Sequence, residues 1–388
     1  MKQKVKFELL QPVMCGGIRI ENNFFESEAF IRGSVLRAAF ANLILLECPY
    51  ADCKSSDGKY NFIEIKNADG RCKECQYNQI CKLFGDMTFS CAYPENSIPA
   101  PFTAKKCKKC GTNHKIKDTL VESGMIVCDE CKAKNADDIA RMENLKGLIR
   151  QDGEKTVSVK ISMTLSTHTA INYHSHIADN GSLFSIKAIE KGQIYTAIID
   201  ECNTGMLNTG DVIYAGKYSS CGFGKMKIVD LQPVSDCSES EIKERIEKFN
   251  IRFNTNNQVS VLLITDMLPL ETNISDKVLT NEEYLEYWQK SIFGSDELPF
   301  SILKIFTETQ LYSGFDTSKS WGNWKQTNPE LLLKKGTSLL LEIKENYFDE
   351  AIETLTKMQN IGIGKKTQDG FGQVEICHPI HCTGVKSE

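Results

Sequence analysis

A ten-residue pattern that occurs twice constrains the fold of this chain more than any other feature. Segments 216–225 and 364–373 both have glycine at their first, seventh and ninth positions and phenylalanine at the eighth. An apolar, β-type stretch follows each copy, and a Lys-Gly pair precedes a similar stretch upstream of each. The chain is therefore expected to contain two homologous halves, each ending in a strand, a glycine loop and a second strand.

The composition of the two loops suits a phosphate backbone. Glycine allows positive φ angles and close approach to the main chain, and neighbouring lysines add positive charge beside exposed N–H groups. A plain hairpin turn with an inward phenylalanine is the alternative for either loop. The order of residues matches neither a nucleotide-binding P-loop nor the Rossmann spacing. The candidate contacts to a phosphate chain in the loops are Gly216, Lys217, Gly222, Phe223, Gly224, Lys225, Gly364, Lys365, Lys366, Gly370, Phe371 and Gly372.

Cysteines are concentrated in one part of the chain. Ten of the sixteen fall between positions 48 and 131, and the N-terminal residues lack the pattern of a secretory signal. Closely spaced cysteines in such a chain indicate metal binding rather than disulfides. Two Cys-x2-Cys knuckles separated by seventeen residues form a zinc-ribbon pattern, in which four thiolates close a tetrahedron around zinc: Cys107, Cys110, Cys128 and Cys131.

A second group of cysteines precedes the ribbon. Cys72 and Cys75 form one knuckle, Cys81 adds a third ligand, and the fourth would come from Cys48 or Cys53. Zinc is the expected metal, with an iron–sulfur cluster or buried free thiols as alternatives. Both groups are expected to be structural, because an all-thiolate shell leaves no open position for a reactive water.

Local patterns divide the chain further. A helix is expected over 35–46 with Ser34 as its N-cap. Segment 47–134 is rich in cysteine, lysine, glycine and asparagine, so we interpret it as an insertion held by metal rather than by an apolar core. A short helix is expected over 137–149, and a polar loop that carries histidines over 166–180.

Charge and hydropathy limit the functional classes. The net charge of −5 argues weakly against a polyanionic partner, but lysines cluster between positions 105 and 117. No stretch approaches the roughly 18 consecutive apolar residues of a membrane span. The sequence therefore predicts a cytoplasmic protein that does not bind membranes.

Three short motifs resemble those of the RAMP superfamily of CRISPR-associated proteins. Segment 31–38, Ile-Arg-Gly-Ser-Val-Leu-Arg-Ala, resembles the family's Ile-Pro-Gly-Ser-x-Leu-Arg-Gly element, with Arg32 in place of proline and Ala38 in place of glycine. Segment 81–85 is similar to the Cys-x-Leu-Phe-Gly element of type III effector subunits. The two glycine loops resemble the family's C-terminal glycine-rich loop.

Two such halves in one chain most resemble the large two-domain RAMP subunit of type III-D systems. The resemblance implies an α+β chain with two ferredoxin-like (RRM-type) domains, 1–240 and 241–388, and a zinc-binding cysteine-rich insertion at 47–134 of the first. It implies a non-catalytic subunit that binds CRISPR RNA, with Arg37 as a further contact, and caps the 5′ repeat-derived handle. The implied protein partners are the large polymerase-like subunit and the backbone RAMP subunits.

Two other functions remain open from the residues alone. His174 and His176 lie beside Tyr173 in a polar segment, and histidine is the natural acid or base for metal-free RNA cleavage. An endoribonuclease of the same superfamily is therefore the first alternative. A zinc-stapled scaffold that binds only protein is the second.

Overall fold

The computed structural model combines helices with sheets whose strand pairs are mostly antiparallel, which confirms the predicted mixed α+β class. It describes residues 2–16, 18–21, 23–48, 71–113, 115–121, 126–134, 140–152, 155–171, 178–272, 279–295, 297–316 and 325–383. None of the helices in these ranges is long and apolar enough to cross a membrane.

The first half of the chain contains most of the strands. Its elements are β1 (Lys2–Leu9), β2 (Ile18–Glu21), β3 (Phe24–Glu26), α1 (Gly33–Glu47), α2 (Arg71–Glu74), α3 (Asn78–Leu83), β4 (Thr88–Phe89), β5 (Tyr93–Pro94), β6 (Ile98–Pro99), β7 (Ala104–Cys107), β8 (Lys117–Asp118), α4 (Asp129–Lys134), β9 (Met142–Asn144), β10 (Leu148–Asp152), β11 (Lys155–Val159), β12 (Met163–Ile171), β13 (Ala178–Ile189), β14 (Ile194–Asp200), β15 (Val212–Tyr214) and β16 (Lys225–Pro233).

The second half begins with a helix whose start follows from its sequence. Ser238 accepts a hydrogen bond from the backbone of Glu241, and the Glu241 side chain accepts one from the backbone of Ser238. The elements are α5 (Glu239–Phe253), β17 (Gln258–Leu263), α6 (Asn281–Phe293), β18 (Phe300–Phe306), β19 (Thr309–Tyr312), β20 (Phe315–Asp316), β21 (Lys325–Gln326), β22 (Glu330–Leu333), β23 (Ser338–Ile343), α7 (Phe348–Ile361) and β24 (Val374–Ile376).

The main sheets of the two halves have the same strand order. The first sheet runs β16-β1-β14-β4, with β15 outside β16 and β5 also paired to β14. The second runs β24-β17-β23-β18, and the described pairs in both sheets are antiparallel. In each half the first strand of the sheet is central, a helix follows it, and the strand after the glycine loop pairs with it. The duplication in the sequence is therefore also a duplication of topology.

Each half has its own apolar core. Alternate residues of β1, Val5, Phe7 and Leu9, are buried together with Leu36 and Phe40 of α1. The core of the second half lies between its sheet and helices α5, α6 and α7. Each sheet buries one face against its own helices, and Leu120 from the first half also packs into the second core.

The outer face of the second sheet is also covered. Ser260 and Leu262 of β17 are fully buried, and Leu262 packs in a cluster that includes Ala104 and Ile149 of the first half. The segment from 98 to 149 thus lies against this sheet. This face of the central strand β17 is therefore covered by protein.

Buried charges join the two halves. An Arg32 guanidinium nitrogen lies 3.1 Å from the Asp266 carboxylate, and Lys335 donates its backbone N–H to Asp266 Oδ1 at 2.9 Å. The Lys335 ammonium lies 4.1 Å from the centre of the Phe30 ring, and Glu28 also pairs with Arg32 at 2.6 Å. Arg32 therefore links residues of the first half to the end of β17.

Three local predictions are wrong. Described residues of 137–149 form strand β9 and part of β10, and much of the loop predicted over 166–180 belongs to the paired strands β12 and β13. Ser34 lies inside α1, whose N-cap is Arg32. In segments 137–149 and 166–180, pairing with strands elsewhere in the chain determines the conformation, rather than local propensity.

Candidate nucleic-acid interface and metal centres

The two glycine loops share one backbone conformation. In the first loop a 3₁₀ turn, Ser219–Cys221, ends at Gly222 with φ 88°. In the second loop the turn Thr367–Asp369 ends at Gly370 with φ 82°. Residues other than glycine rarely adopt such φ angles, so each turn requires its glycine. The repeat in the sequence is a repeat in three dimensions.

The phenylalanine of each loop points inward and holds the loop in place. Phe223 and Phe371 are both 4% exposed. The Phe223 ring packs against His168 and Tyr218, and the Phe371 ring packs edge-on against Tyr312. The inward phenylalanine considered from the sequence is thus present in both copies, and it leaves the backbone and the lysines as the groups that can face RNA.

The first loop is open to solvent. Ser219–Cys221 and Gly222 are exposed, as is Lys217, while Lys225 is half-buried. Neither lysine forms an ion pair with a residue that the structure describes. The loop therefore presents main-chain groups and two cations that are available to a phosphate.

The second loop is in contact with other parts of the protein. Its two lysines, Lys365 and Lys366, lie 3.5 and 3.6 Å from the carboxylate of Glu330. Gly370 is buried against residues of the first half, where a Cβ atom on it would lie 2.5 Å from the carbonyl oxygen of Phe89. The two copies share a conformation but differ in accessibility, and the first is the better candidate for binding RNA.

Arg37 directs its guanidinium at the protein. It donates to the carbonyl oxygens of Phe84 at 2.9 Å and Met87 at 3.1 Å, and its Nε lies 3.6 Å from Asp369 Oδ1. Its guanidinium also lies over the Phe84 ring, 5.2 Å from the centre. The three family-like motifs therefore meet at this side chain, which joins the first helix, the Cys-x-Leu-Phe-Gly segment and the second glycine loop.

The candidate catalytic histidines, His174 and His176, lie outside the described residues. His168, on β12, lies within the described part and packs in an aromatic group. Its ring stacks on Phe184 with 5.5 Å between centres, and its Nε2 is 3.0 Å from Ser166 Oγ. This environment holds the imidazole in place beside the first glycine loop.

The zinc-ribbon cysteines come together as their spacing predicts. The sulfur atoms of Cys107, Cys128 and Cys131 lie within 4.8 Å of one another. Cys131 Sγ is 3.7 Å from Cys107 Sγ and 3.8 Å from Cys110 Sγ. Four sulfurs placed about 2.3 Å from a central zinc would lie about 3.8 Å apart, so these distances fit a tetrahedral thiolate site and not a disulfide.

The local backbone also suits a thiolate. Burial acts to raise the pKa of Cys107, but the N–H groups of Cys110 and Lys109 stabilise the ionised sulfur, and the net effect is a lowered pKa. The turn after the first knuckle closes with a hydrogen bond from Gly111 N–H to the Cys107 carbonyl at 2.8 Å. This buried cysteine cluster could therefore hold a metal ion.

The second cysteine group is described at four of its five positions. Burial, together with the sulfurs of Cys75, Cys48 and Cys72, raises the pKa of Cys81 to about 11. Cys53 lies outside the described residues. No three of the described sulfurs in this group lie within 4.8 Å of one another as those of the ribbon do, so the second metal site and its fourth ligand stay a prediction.

Comparison with known proteins identifies the family. A family model for the RAMP superfamily matches residues 6–227, which is more than half of the chain. The chain belongs to the RAMP superfamily. No match between this RAMP protein and a curated protein sequence was found.

Solved structures similar to this RAMP protein include three type III-B Cmr-beta structures determined by cryo-EM. The form bound to cognate target RNA and AMPPnP has a TM-score of 0.43 at 12% identity, covering 87% of this chain and 86% of that chain. The form bound to cognate target RNA has a TM-score of 0.44 at 13% identity, covering 93% and 96%. The apo form has a TM-score of 0.31 at 11% identity, covering 61% and 98%.

Sequence reasoning missed the residues that set the two glycine loops apart. Asp369, in the second loop, pairs with Arg37, and Glu330 pairs with the lysines of that loop. Asp266 pairs with Arg32. One signal was available, because the repeat has Cys221 where the second copy has Asp369. That difference separates a loop that can form an ion pair from one that cannot.

Proposed function

We propose that this RAMP protein is a non-catalytic subunit that binds CRISPR RNA in a type III effector complex. The observation that carries the proposal is the first glycine loop, with an exposed main chain and with Lys217 and Lys225 free of ion pairs to described residues. Lysines beside an exposed turn can bind a phosphate chain without reading bases. Such a site suits a guide RNA whose sequence varies.

The domain organisation that we infer is two ferredoxin-like domains, 1–240 and 241–388. The equal strand orders, the separate cores and the capping box at Ser238 support a boundary near residue 240. In this proposal segment 47–134 is an insertion in the first domain. Its residues near Leu120 pack on the core of the second domain, so the insertion also supports the joint between domains.

We propose zinc as the metal of both cysteine groups. The four ribbon cysteines would hold one ion, and Cys48, Cys72, Cys75 and Cys81 a second, with Cys53 as the other candidate ligand. Bound zinc would supply a cross-link between segments that have few apolar contacts. Catalysis at zinc is not part of this proposal, because four thiolates leave no site for water.

The finer role that we propose is capping of the 5′ repeat-derived handle, as in a type III-D-like complex. The chain would then contact the large polymerase-like subunit on one side and a backbone RAMP subunit on the other. Its two fused halves, each with a glycine loop, support a position at the end of a row of similar domains.

Endoribonuclease activity is the main rival. It depends on His174 and His176, so the double change of both to Ala separates the two functions. RNA cleavage by the wild-type chain that disappears in this variant would establish the nuclease. A scaffold that binds only protein predicts no protection of RNA at physiological salt.

The deciding experiment is to co-express the chain with the genes beside its own, purify it and sequence the bound RNA. Short RNAs with one constant 5′ end are expected. The matched control is the double variant Lys217→Ala, Lys225→Ala, which should retain less RNA while remaining folded. Random RNA, or none, would contradict the proposed role.

A further inference from the structure

The tip of the second glycine loop is covered by one particular surface of the first half. The carbonyl oxygen of Asp369 approaches the first residue of α1, where a Cβ on Gly33 would lie 2.5 Å from it. The Asp369 carboxylate pairs with Arg37, one turn further along the helix. A Cβ on Gly370 would lie 3.1 Å from the backbone nitrogen of Cys91. The glycine at the start of α1 is thus the residue that allows the loop to dock.

The matching tip of the first loop has no such cover. Gly222 is the counterpart of Gly370, and a Cβ built on Gly222 meets no described atom within 4 Å. Cys221, the counterpart of Asp369, is exposed, and it is the only exposed residue among the cysteines that the structure describes. Both tips have the same 3₁₀ turn and the same left-handed glycine. One of two loop tips with the same conformation is therefore uncovered within the described part of the chain.

We propose that the exposed tip of the first loop, Ser219–Cys221 and Gly222, docks the start of the first helix of another RAMP-fold subunit. The recognised element is a helix whose first residue is glycine, followed one turn later by arginine, as in Gly33 and Arg37. The contact inside this chain is the template for the contact between chains. This inference deepens the proposed function, because it assumes a complex that contains other RAMP subunits.

The occupant is a different chain and not a second copy of this one. In every copy the start of α1 is already covered by that copy's own second loop, through the carbonyl and carboxylate oxygens of Asp369. A neighbour whose first helix has an open start can reach the tip. Lys217 and Lys225 flank the tip on either side, so the tip and the ends of the loop can serve a protein and an RNA separately.

Chemistry at position 221 predicts the strength of the contact. The carbonyl oxygen of Cys221 can occupy the place of the Asp369 carbonyl, since the backbones match. The thiol cannot reproduce the Asp369–Arg37 ion pair. Docking therefore depends on shape and main-chain approach, and an acid at position 221 should improve it if the partner has arginine one turn into its helix.

The test uses the full chain and each RAMP-fold protein encoded beside it, purified separately and treated with ribonuclease. Binding is measured by titration calorimetry for wild type, Cys221→Trp, Ser220→Trp and Cys221→Asp. Glu247→Trp, at an exposed site on α5, is the matched control. Each Trp variant on the loop should weaken binding to one neighbour by at least about tenfold, and Glu247→Trp should leave it unchanged. Cys221→Asp should bind as well as wild type or better.

A second readout is the reaction of Cys221 with a maleimide, located by peptide mapping. Bound neighbour should protect this thiol, and Glu247→Trp should not alter the protection. The proposal is overturned if no RAMP-fold neighbour binds without RNA, if both loop Trp variants bind normally, or if the tip instead mediates self-association of this chain. If RNA is the occupant, Cys221→Asp will weaken RNA retention while no subunit binds. Because RNA is absent from the main assay, failure of the RNA-binding function would leave this result intact.

Discussion

The guanidinium of Arg32 lies 3.1 Å from the carboxylate of Asp266, and this buried pair joins the start of α1 to the end of β17. The Asp266 side chain is 6% exposed and has a second cation, Lys335, at 3.8 Å. Burial acts to lower the pKa of Arg32, but the Glu28 and Asp266 carboxylates outweigh it and raise the pKa. Arg32 and Lys335 therefore both link the first half to the second through Asp266 and Phe30.

Replacement of Asp266 should be strongly destabilising. Asp266→Ala leaves the ammonium and backbone N–H of Lys335 without this acceptor and leaves Arg32 paired with Glu28 alone, and the expected loss is about 1–3 kcal/mol in the free energy of unfolding. Glu308→Ala is the matched control, because it breaks the exposed pair with Lys334 and should cost less than about 1 kcal/mol. Urea denaturation measures both. Equal losses would contradict a buried junction.

Arg37 should matter for stability and not for RNA contact. Arg37→Ala leaves the carbonyl oxygens of Phe84 and Met87 without their donor, with an expected cost of about 1–3 kcal/mol. Asp369→Asn should cost less, because its 3.6 Å contact is partly exposed. Thermal melting and RNA retention per folded molecule are the measurements. Loss of RNA by a fully stable Arg37→Ala protein would restore Arg37 as an RNA ligand.

Each cysteine group should hold one zinc ion. Cys110→Ser and Cys75→Ser should each lower the zinc content by one ion per chain, whereas Cys202→Ser, outside both groups, should leave it unchanged. A chelator should lower the melting temperature of wild type, since metal binding contributes to folding. Elemental analysis gives the stoichiometry. Visible absorbance with bound iron would indicate an iron–sulfur cluster instead.

The two pairs of lysines should contribute unequally to RNA affinity. Lys217→Ala with Lys225→Ala should weaken binding and reduce the slope of log affinity against log salt by about one to two, because each phosphate contact releases counterions. Lys365→Ala with Lys366→Ala should have a smaller effect, since Glu330 already pairs with both. Fluorescence anisotropy over a salt series compares them. Equal slopes for the two variants would disprove the assignment to the first loop.

Stability should fall in acid through His378. Burial lowers its pKa to about 3, with His381 and Arg245 acting in the same direction, and its Nδ1 accepts a hydrogen bond from Ile380 N–H at 3.2 Å. The Glu375 carboxylate lies 3.6 Å from Nε2, but burial raises the pKa of that group, which weakens its support for a charged ring.

The pH dependence of stability follows from the protonation of His378 in the folded and unfolded states. In the unfolded chain the imidazole has a pKa of about 6.5. The free energy of unfolding is therefore at its full value above that pH and decreases as the pH falls towards about 3, because the unfolded chain binds a proton that the folded protein does not. His378→Gln should make the melting temperature depend less on pH over this range. Melting temperatures of both proteins between about pH 7 and 4 test it, and parallel curves would exclude His378 as the cause.

Features that depend on residues close together in the sequence were predictable from the sequence. The repeat identified two similar halves because Gly222 and Gly370 adopt a conformation that other residues avoid. The spacing of Cys107 and Cys110 identified a knuckle because two thiolates at that distance can share one ion. Family-like motifs around Gly33 and Arg37 indicated the superfamily that the family model confirms.

Features that depend on distant contacts required the tertiary structure. Loops of the same conformation differ in exposure because Asp369 meets the start of α1 and Gly370 lies against Phe89 and Cys91, while no described atom lies within 4 Å of a Cβ built on Gly222. Likewise, the polar stretch around His168 forms a strand because β13 supplies its hydrogen bonds. The sequence by itself determined which units this chain contains. Only the packing of one half on the other decided which copy is covered and which is free, because that choice depends on residues far apart in the chain.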